Sequence, residues 1–243
     1  LWVGYDYGEG TMSPSGYPLT TRKWSRGTKL EDATEIFRGK PTDVSAGGSF
    51  YYDKDEKYAM FYRMATFNDI EYYYWFEGDK DLTKVKWIAS SCRIQTFKKK
   101  VLIMPKEVWS FGGKFYKAGS LLSCDFETFV KEGHLDAVFL GAGARTVGEE
   151  PKCDIQILYE PANDRCAYEG ATDSRDYLYV SSLENLQSKI TVYRFDDATN
   201  AFILEGAHEA ENCQTFSVGG AKPNSSNALF ASSSGFLNPS TYL

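Results

Sequence analysis

Two histidines, His134 and His208, are the only imidazoles in this 243-residue chain. General acid–base or acyl-transfer chemistry near neutral pH must be built around one of them or around carboxylates. A serine nucleophile working through histidine sits on a strand-turn-helix elbow of the form Gly-x-Ser-x-Gly, with an acidic residue orienting the imidazole. That spacing does not occur. Ser13-Pro14-Ser15-Gly16 and Ser232-Ser233-Ser234-Gly235 lack the leading glycine, and neither precedes a helical pattern; both read as serine-rich turns. Each histidine lies among acidic or small residues and reads as a solvated loop residue. Paired carboxylates could serve glycosidic hydrolysis, and Glu149-Glu150, Asp196-Asp197 and Asp53-Asp55-Glu56 have the right residue types. All three groups lie in turn-like polar clusters, where acidic side chains solvate the turn and cap its backbone. With no C-x-x-C and no H-x-x-x-H, a zinc site is not expected. The expectation is a chain with no catalytic residue, no metal ligand and no cofactor.

Other chemistry-bearing residues read as structural. Lys98-Lys99-Lys100 forms a short basic run between two strands and is expected to be a solvated hairpin tip, since nucleic-acid binding needs a broader basic face. Tyr72-Tyr73-Tyr74-Trp75 resembles a stacking platform, but strand alternation sends half of its rings into a core. Trp109 followed by Gly112-Gly113 suggests a tight hairpin. Of the five cysteines, Cys92, Cys124 and Cys213 fall in strand patterns, where the thiol acts as a small hydrophobe. The wide spacing of these three and of Cys153 and Cys166 suits reduced thiols in a cytoplasmic protein. The net charge of −6 argues against nucleic acid as a partner. It is unevenly spread: residues 1–120 hold 19 basic and 15 acidic side chains, residues 121–243 hold 8 and 18. No apolar run approaches the roughly 18 residues of a membrane helix.

These residues must be positioned by strands. The chain is 16% aromatic, with 17 Tyr and 16 Phe, and long windows of helical periodicity are missing. Lys57–Thr66 is apolar on both faces, Tyr58, Met60 and Tyr62 alternating with Ala59, Phe61 and Ala65, as in strands packed between stacked sheets. An internal repeat selects the architecture. Tyr58–Tyr62 corresponds to Tyr177–Ser181, and Gln95-Thr96-Phe97 to Gln214-Thr215-Phe216, both at an offset of 119. This equals two propeller blades of about 45 residues plus an insertion, visible as the Gly- and charge-rich segment 141–152. The expected fold is an all-β propeller of four-stranded antiparallel blades, one portion spanning 1–243, with about three whole and two partial blades.

The expected strands are, for the first partial blade, Leu1–Tyr7, Pro18–Arg26 and Ala33–Phe37. The next blade takes Val44–Tyr52, Lys57–Thr66, Ile70–Phe76 and Val85–Ala89. The third takes Cys92–Phe97, Lys99–Met104, Ala118–Asp125 and Ile155–Tyr159, with a short helix in Asp125–Gly133 presenting Phe126, Phe129 and Val130 on one face. The fourth takes Cys166–Ala171, Tyr177–Leu183, Lys189–Phe195 and Ala201–Glu205. The last holds Cys213–Val218, Ala228–Ser232 and a strand from Thr241. Inner strands around Val3–Tyr7, Val44–Phe50, Ile94–Phe97, Tyr168–Ala171 and Thr215–Val218 are the candidates to line a central channel. Both chain ends read as interrupted strands, which suggests a piece of a longer protein.

Several segments carry a family resemblance. They are Gly16-Tyr17-Pro18 with Lys23-Trp24-x-Arg26-Gly27-Thr28-x-Leu30, then Lys40-Pro41-Thr42-Asp43-Val44-Ser45, then Trp109 through Leu122, and Thr172 through Leu186 followed by Ser188. Lys189 stands where an arginine is usual, and Phe236–Tyr242 resembles a propeller end. In order and spacing these are similar to the propeller of the prolyl oligopeptidase family of serine peptidases. The 133–152 region is longer than that pattern. The resemblance implies a seven-bladed propeller capping an α/β-hydrolase domain of the same parent chain, whose Ser-Asp-His triad cuts short peptides after proline or, in relatives, after basic residues. This chain would then be the lid, size filter and gate. A stand-alone propeller scaffold that binds a protein is the alternative, though no Trp-Asp dipeptide occurs.

Overall fold

The computed structural model describes residues 1–53, 56–85, 88–111, 114–132, 138–139, 154–210, 214–237 and 239–242. The chain divides into two compact units, residues 1–93 and 94–243.

The first unit holds two antiparallel sheets. One contains β1 (Trp2–Val3), β2 (Thr20–Lys23) and β3 (Thr34–Arg38). Its β2–β3 turn is closed by the Trp24 indole N–H, which donates to the Thr28 carbonyl at 3.0 Å. The other is the meander β4 (Ser45–Asp53), β5 (Glu56–Met64), β6 (Ile70–Phe76) and β7 (Thr83–Lys84). Alternation puts Tyr58 and Met60 on one face of β5, Ala59 and Phe61 on the other, and all four are buried. Phe37, Ala46, Ala59 and Phe61 form the core between the two sheets. The close approach there depends on glycine. A Cβ on Gly48 would lie 2.4 Å from the Phe61 ring opposite it, and one on Gly47 2.8 Å from the Tyr62 hydroxyl. Glycine thus lets each ring lie flat across its cross-strand neighbour.

The second unit begins with β8 (Arg93–Phe97, its first residue at the unit boundary) and β9 (Lys100–Met104). A hairpin follows, β10 (Trp109–Phe111) and β11 (Lys114–Tyr116). Then come β12 (Leu121–Asp125), α1 (Phe126–Glu132), β13 (Val138–Phe139) and β14 (Gln156–Tyr159). The main sheet has the order β14-β12-β9-β8, and β10 pairs with β11 and β13 in a separate small sheet. The hairpin at Trp109 is as expected; β13 as its third strand was not legible. Trp109 is fully buried. The Asp125 carboxylate accepts the Thr128 N–H at 2.8 Å, starting α1 as an N-cap does, and Phe126, Phe129 and Val130 are all buried.

The next sheet is β15 (Cys166–Asp173), β16 (Tyr177–Glu184), β17 (Gln187–Asp196) and β18 (Ala201–Glu209), followed by β19 (Gln214–Gly220), β20 (Leu229–Gly235) and β21 (Thr241–Tyr242). Phe97, Leu102, Leu121 and Leu158 pack against Leu178, Val180, Phe195 and Phe202, joining two consecutive four-stranded sheets face to face. Each such side chain stabilises by about 2 kcal/mol on full burial. Gln156 extends this contact at the outer edges: its amide donates to the Phe202 carbonyl at 2.6 Å and accepts the Phe202 N–H at 3.1 Å.

Among the described residues there are three four-stranded and two three-stranded sheets of the expected kind. The repeat of 119 places Tyr58 and Tyr177 on the second strands of their sheets, and Gln95 and Gln214 on the first strands of theirs. Three expectations need correction. Val85–Ala89 is not a strand over its described residues; β7 ends at Lys84, because it pairs only with Tyr73 and Tyr74 of β6. Ser232–Gly235 is not a turn but the end of β20, where the Ser217–Ser232 and Thr215–Ser234 hydroxyl pairs lie 2.8 and 2.9 Å apart. His208 lies on β18 rather than in a loop. The segment 141–152, His134, Glu149-Glu150, Gly112-Gly113, Asp55, Cys153 and Cys213 lie outside the described residues.

Candidate functional site

Among the described residues, the structure does not bring the sequence candidates for bond-breaking chemistry together. The Ser13 hydroxyl accepts the Tyr17 N–H at 3.1 Å within a tight turn. His208 is exposed, its ring 4.8 Å from that of Phe216. Asp196 accepts the Thr199 hydroxyl at 2.6 Å and caps the β17–β18 turn. Among the described residues, no group of three or more His, Cys, Asp or Glu could hold a metal ion, and no helix is long and apolar enough to cross a membrane.

The basic run departs from expectation. Only Lys99 is exposed. Lys98 has φ = +49°, and its side chain is 11% exposed, with the ammonium 3.6 Å from Asp176, 3.8 Å from Asp197 and 4.9 Å from the Phe195 ring centroid. A hairpin tip is solvated only where no neighbouring sheet meets it, and these acidic turns, nearly 80 residues away or more, are invisible to local pattern. Lys100 is buried on β9 opposite Asp125. Burial lowers its pKa, and the Asp125 charge opposes that.

Asp176 links three sheets of the second unit. It meets Lys98 from the preceding sheet and accepts the Asn227 side-chain N–H at 2.9 Å from the β19–β20 turn of the next. Asn227 in turn accepts the Ser174 hydroxyl at 3.2 Å and the Asp176 N–H at 2.9 Å. The hydrogen bond from Arg175, followed by that from Asn227, holds the Asp176 carboxyl at about 2.

The first unit holds a more buried ionic cluster. Arg63, on β5, grips Asp43 with two hydrogen bonds of 2.6 and 2.8 Å, and donates a third to Glu71 at 2.7 Å. The Asp43 side chain is 1% exposed and that of Arg63 9%. Lys84 and the Tyr73 hydroxyl also reach Glu71, at 2.7 and 3.0 Å, and Asp43 accepts the Lys40 N–H at 2.7 Å. The Arg63 hydrogen bond is the main cause of the lowered Asp43 pKa, against the effect of burial. For Glu71 burial is the largest single effect and pushes upward, but hydrogen bonds from Lys84, Tyr73 and Arg63 together outweigh it and bring the carboxyl to about 2. The cluster holds no serine, cysteine or histidine and positions backbone: it anchors the Lys40–Ser45 segment where the chain passes into β4. Asp43 in that segment was a sequence signal; its partner Arg63, on another strand, was not.

The five candidate lining segments fall on or beside β1, β4, β8, β15 and β19. Of these, β4, β8, β15 and β19 each open their own sheet in chain order and form one edge of it.

No family model matches the chain. It is 26% identical over 247 residues to an uncharacterized peptidase, y4nA, of Sinorhizobium fredii, covering 99% of this chain and 31% of that protein. Solved structures share its fold. A post-proline cleaving enzyme from Rickettsia typhi superposes with a TM-score of 0.77 at 15% identity, over 99% of this chain and 33% of the enzyme. Oligopeptidase B from Leishmania major gives 0.59 at 12% identity, over 95% and 29%. The chain thus spans about a third of the length of the proteins it matches. Its fold is that of the propeller portion of prolyl oligopeptidases, as the sequence segments suggested.

Proposed function

We propose that this chain, which resembles the propeller portion of prolyl oligopeptidases along nearly its whole length, is the non-catalytic propeller part of a prolyl-oligopeptidase-like serine endopeptidase acting on short peptides. It forms one propeller portion over 1–243 and works as lid, size filter and gate. An α/β-hydrolase domain of the same parent chain supplies the triad. The observation that carries this reading is the 0.77 TM-score over 99% of the chain and only a third of the Rickettsia enzyme, together with a sequence that has no Gly-x-Ser-x-Gly.

In this reading the mechanism is steric exclusion. First strands arrayed around an axis leave a channel, and a channel narrower than a folded domain admits only flexible peptides. Entry then needs separation of propeller and hydrolase, or loop motion, and such steps can limit turnover. Reduced, wide-spaced cysteines support a cytoplasmic location, and neither nucleic acid nor membrane is a partner in this reading.

The test compares a short proline-containing peptide with a folded protein as substrates of the full-length protein. The peptide is cleaved, the folded protein is refused until it is unfolded, and a serine-directed fluorophosphonate abolishes turnover. Equal cleavage of folded and unfolded protein overturns the filter; no hydrolysis and no fluorophosphonate labelling overturns the peptidase. The 243-residue segment alone hydrolyses neither, and its uncovered sheet faces make it poorly soluble.

A further inference from the structure

The β16–β17 turn departs from ordinary turn chemistry at one residue. Glu184 pairs with Gln187, so the turn has two central residues, Asn185 and Leu186, with φ of +53° and +69°. Such hairpin turns favour Asn-Gly, because glycine meets no steric penalty at positive φ. A leucine there carries the backbone cost of the left-handed region. Its side chain is also 87% exposed, so it gains almost no packing within this chain. Strain held at an exposed apolar residue signals a contact made with another body.

The same connection, from second to third strand in chain order, carries exposed apolar residues in other sheets. In the sheet β14-β12-β9-β8 it runs from β9 to β12 and holds Val108 and Phe115, both exposed. One face of its hairpin is filled: the buried Trp109 ring lies 5.1 Å from Phe111 and 5.8 Å from Tyr116. Phe115, paired with Ser110, lies on the opposite face. The 160–165 segment ties this connection to the β16–β17 turn. Lys117 reaches the Glu160 carboxylate at 3.1 Å and donates to the Pro161 carbonyl at 3.3 Å, and the Arg165 carbonyl accepts the Asn185 N–H at 3.0 Å. In the first unit, the offset of 119 carries Phe67 onto Leu186, and Phe67 is 66% exposed. Its turn is locked from within: the Asp69 N–H donates to the Thr66 hydroxyl at 3.0 Å, and Arg93 to the Phe67 carbonyl at 2.6 Å. One exposed apolar residue is ordinary. Its recurrence at one repeat position, once with strain, marks an interaction surface.

We propose that the rim of the second unit carrying Leu186, Phe115 and Val108 is where the rest of the full-length protein docks, in the peptidase reading its α/β-hydrolase domain; Phe67 has the equivalent role in the first unit. The proposal rests on that reading, in which the full-length chain is about three times as long as this one. Separate apolar tips fall short of the roughly 1,000 Å² that association between free molecules requires. A domain tethered in the same chain docks at high effective concentration and needs less. This favours a tethered domain over a second copy. The tips are the apolar core of the contact, and the polar turn residues around them are its rim.

Hydroxyl-radical footprinting of the unaltered full-length protein reads this surface. Leu186 and Phe115 oxidise about tenfold more slowly than in the urea-unfolded chain, and oxidation within about twofold of the unfolded chain overturns the proposal. A variant with photoreactive benzoylphenylalanine in place of Leu186 identifies what covers the tip. After irradiation, peptide mapping finds a cross-link within one chain, to a segment outside these 243 residues. A link between two chains, or one confined to the 243 residues, overturns the proposal. Where that variant does not fold, footprinting of the native residues decides alone. Labelling by a fluorophosphonate separates this proposal from the peptidase reading. A labelled protein with a freely oxidised rim refutes the docking and keeps the peptidase. An unlabelled protein with a protected rim and a link within one chain refutes the peptidase and keeps the docking.

Discussion

Asp43→Asn removes a charge and leaves the shape of the side chain unchanged, so it isolates the electrostatic contribution of the buried cluster. Asp43 is 1% exposed and accepts both Arg63 hydrogen bonds on its two oxygens. In asparagine one of those oxygens becomes an NH₂ group facing a guanidinium donor. Removing one partner of a buried pair costs about 3–5 kcal/mol, because the other charge stays desolvated. Arg63 keeps Glu71 at 2.7 Å, whose side chain is 28% exposed. Part of the charge is therefore still compensated, and the lower end, about 3 kcal/mol, applies. With a denaturant slope of about 3 kcal/mol/M in urea, the midpoint falls by about 1 M. In thermal unfolding the loss is about 6–12 °C. Urea melts of the full-length protein, followed by tryptophan emission and circular dichroism, read the shift. Glu71→Gln is the control and costs about 1 kcal/mol, since its group is partly in water and Arg63 retains Asp43. An Asp43→Asn midpoint within about 0.2 M of the parent at unchanged slope refutes the claim that this pair holds the entry to β4.

The same cluster sets an acid limb. Glu71 has its pKa lowered from 4.5 to about 2 and Asp43 is lowered from 3.8. Depressed folded-state values contribute stability that is complete above the unfolded pKa and is lost as pH falls through the folded one. Stability therefore declines between about pH 4.5 and 2, and urea midpoints measured across that window decline less steeply in Glu71→Gln. Gly48→Ala puts a methyl 2.4 Å from the Phe61 ring, whereas a Cβ on Gly170 meets nothing within 4 Å. Gly48→Ala lowers stability by about 1–3 kcal/mol and Gly170→Ala by less than about 0.5 kcal/mol, a contrast that parallel thermal melts resolve.

Much of the fold was legible because it is local. Strand alternation in Tyr58–Phe61 and Ile70–Phe76, turn residues between runs, and the three apolar residues of α1 all follow from spacing along one segment. So did the places of β4, β8, β15 and β19 as the strands that open their sheets, which follow from strand order. Errors came where local pattern meets a neighbour. Ser232–Gly235 reads as a turn by composition, yet pairing with Gln214–Ser217 makes it strand. β13 was missed because two residues carry no period, and only Trp109 and Ser110 opposite them define a strand there.

Composition, alternation and the 119-residue repeat by themselves determined an all-β chain of repeated four-stranded sheets without a nucleophile elbow. Those are properties of residue type and spacing along one dimension. Only the tertiary structure decided that Lys98 faces Asp176, that Arg63 grips Asp43 and that Gln156 pairs with the Phe202 backbone. Each of these joins different strands or turns, and charge pairing, desolvation and shape depend on distance in space, to which sequence separation is no guide.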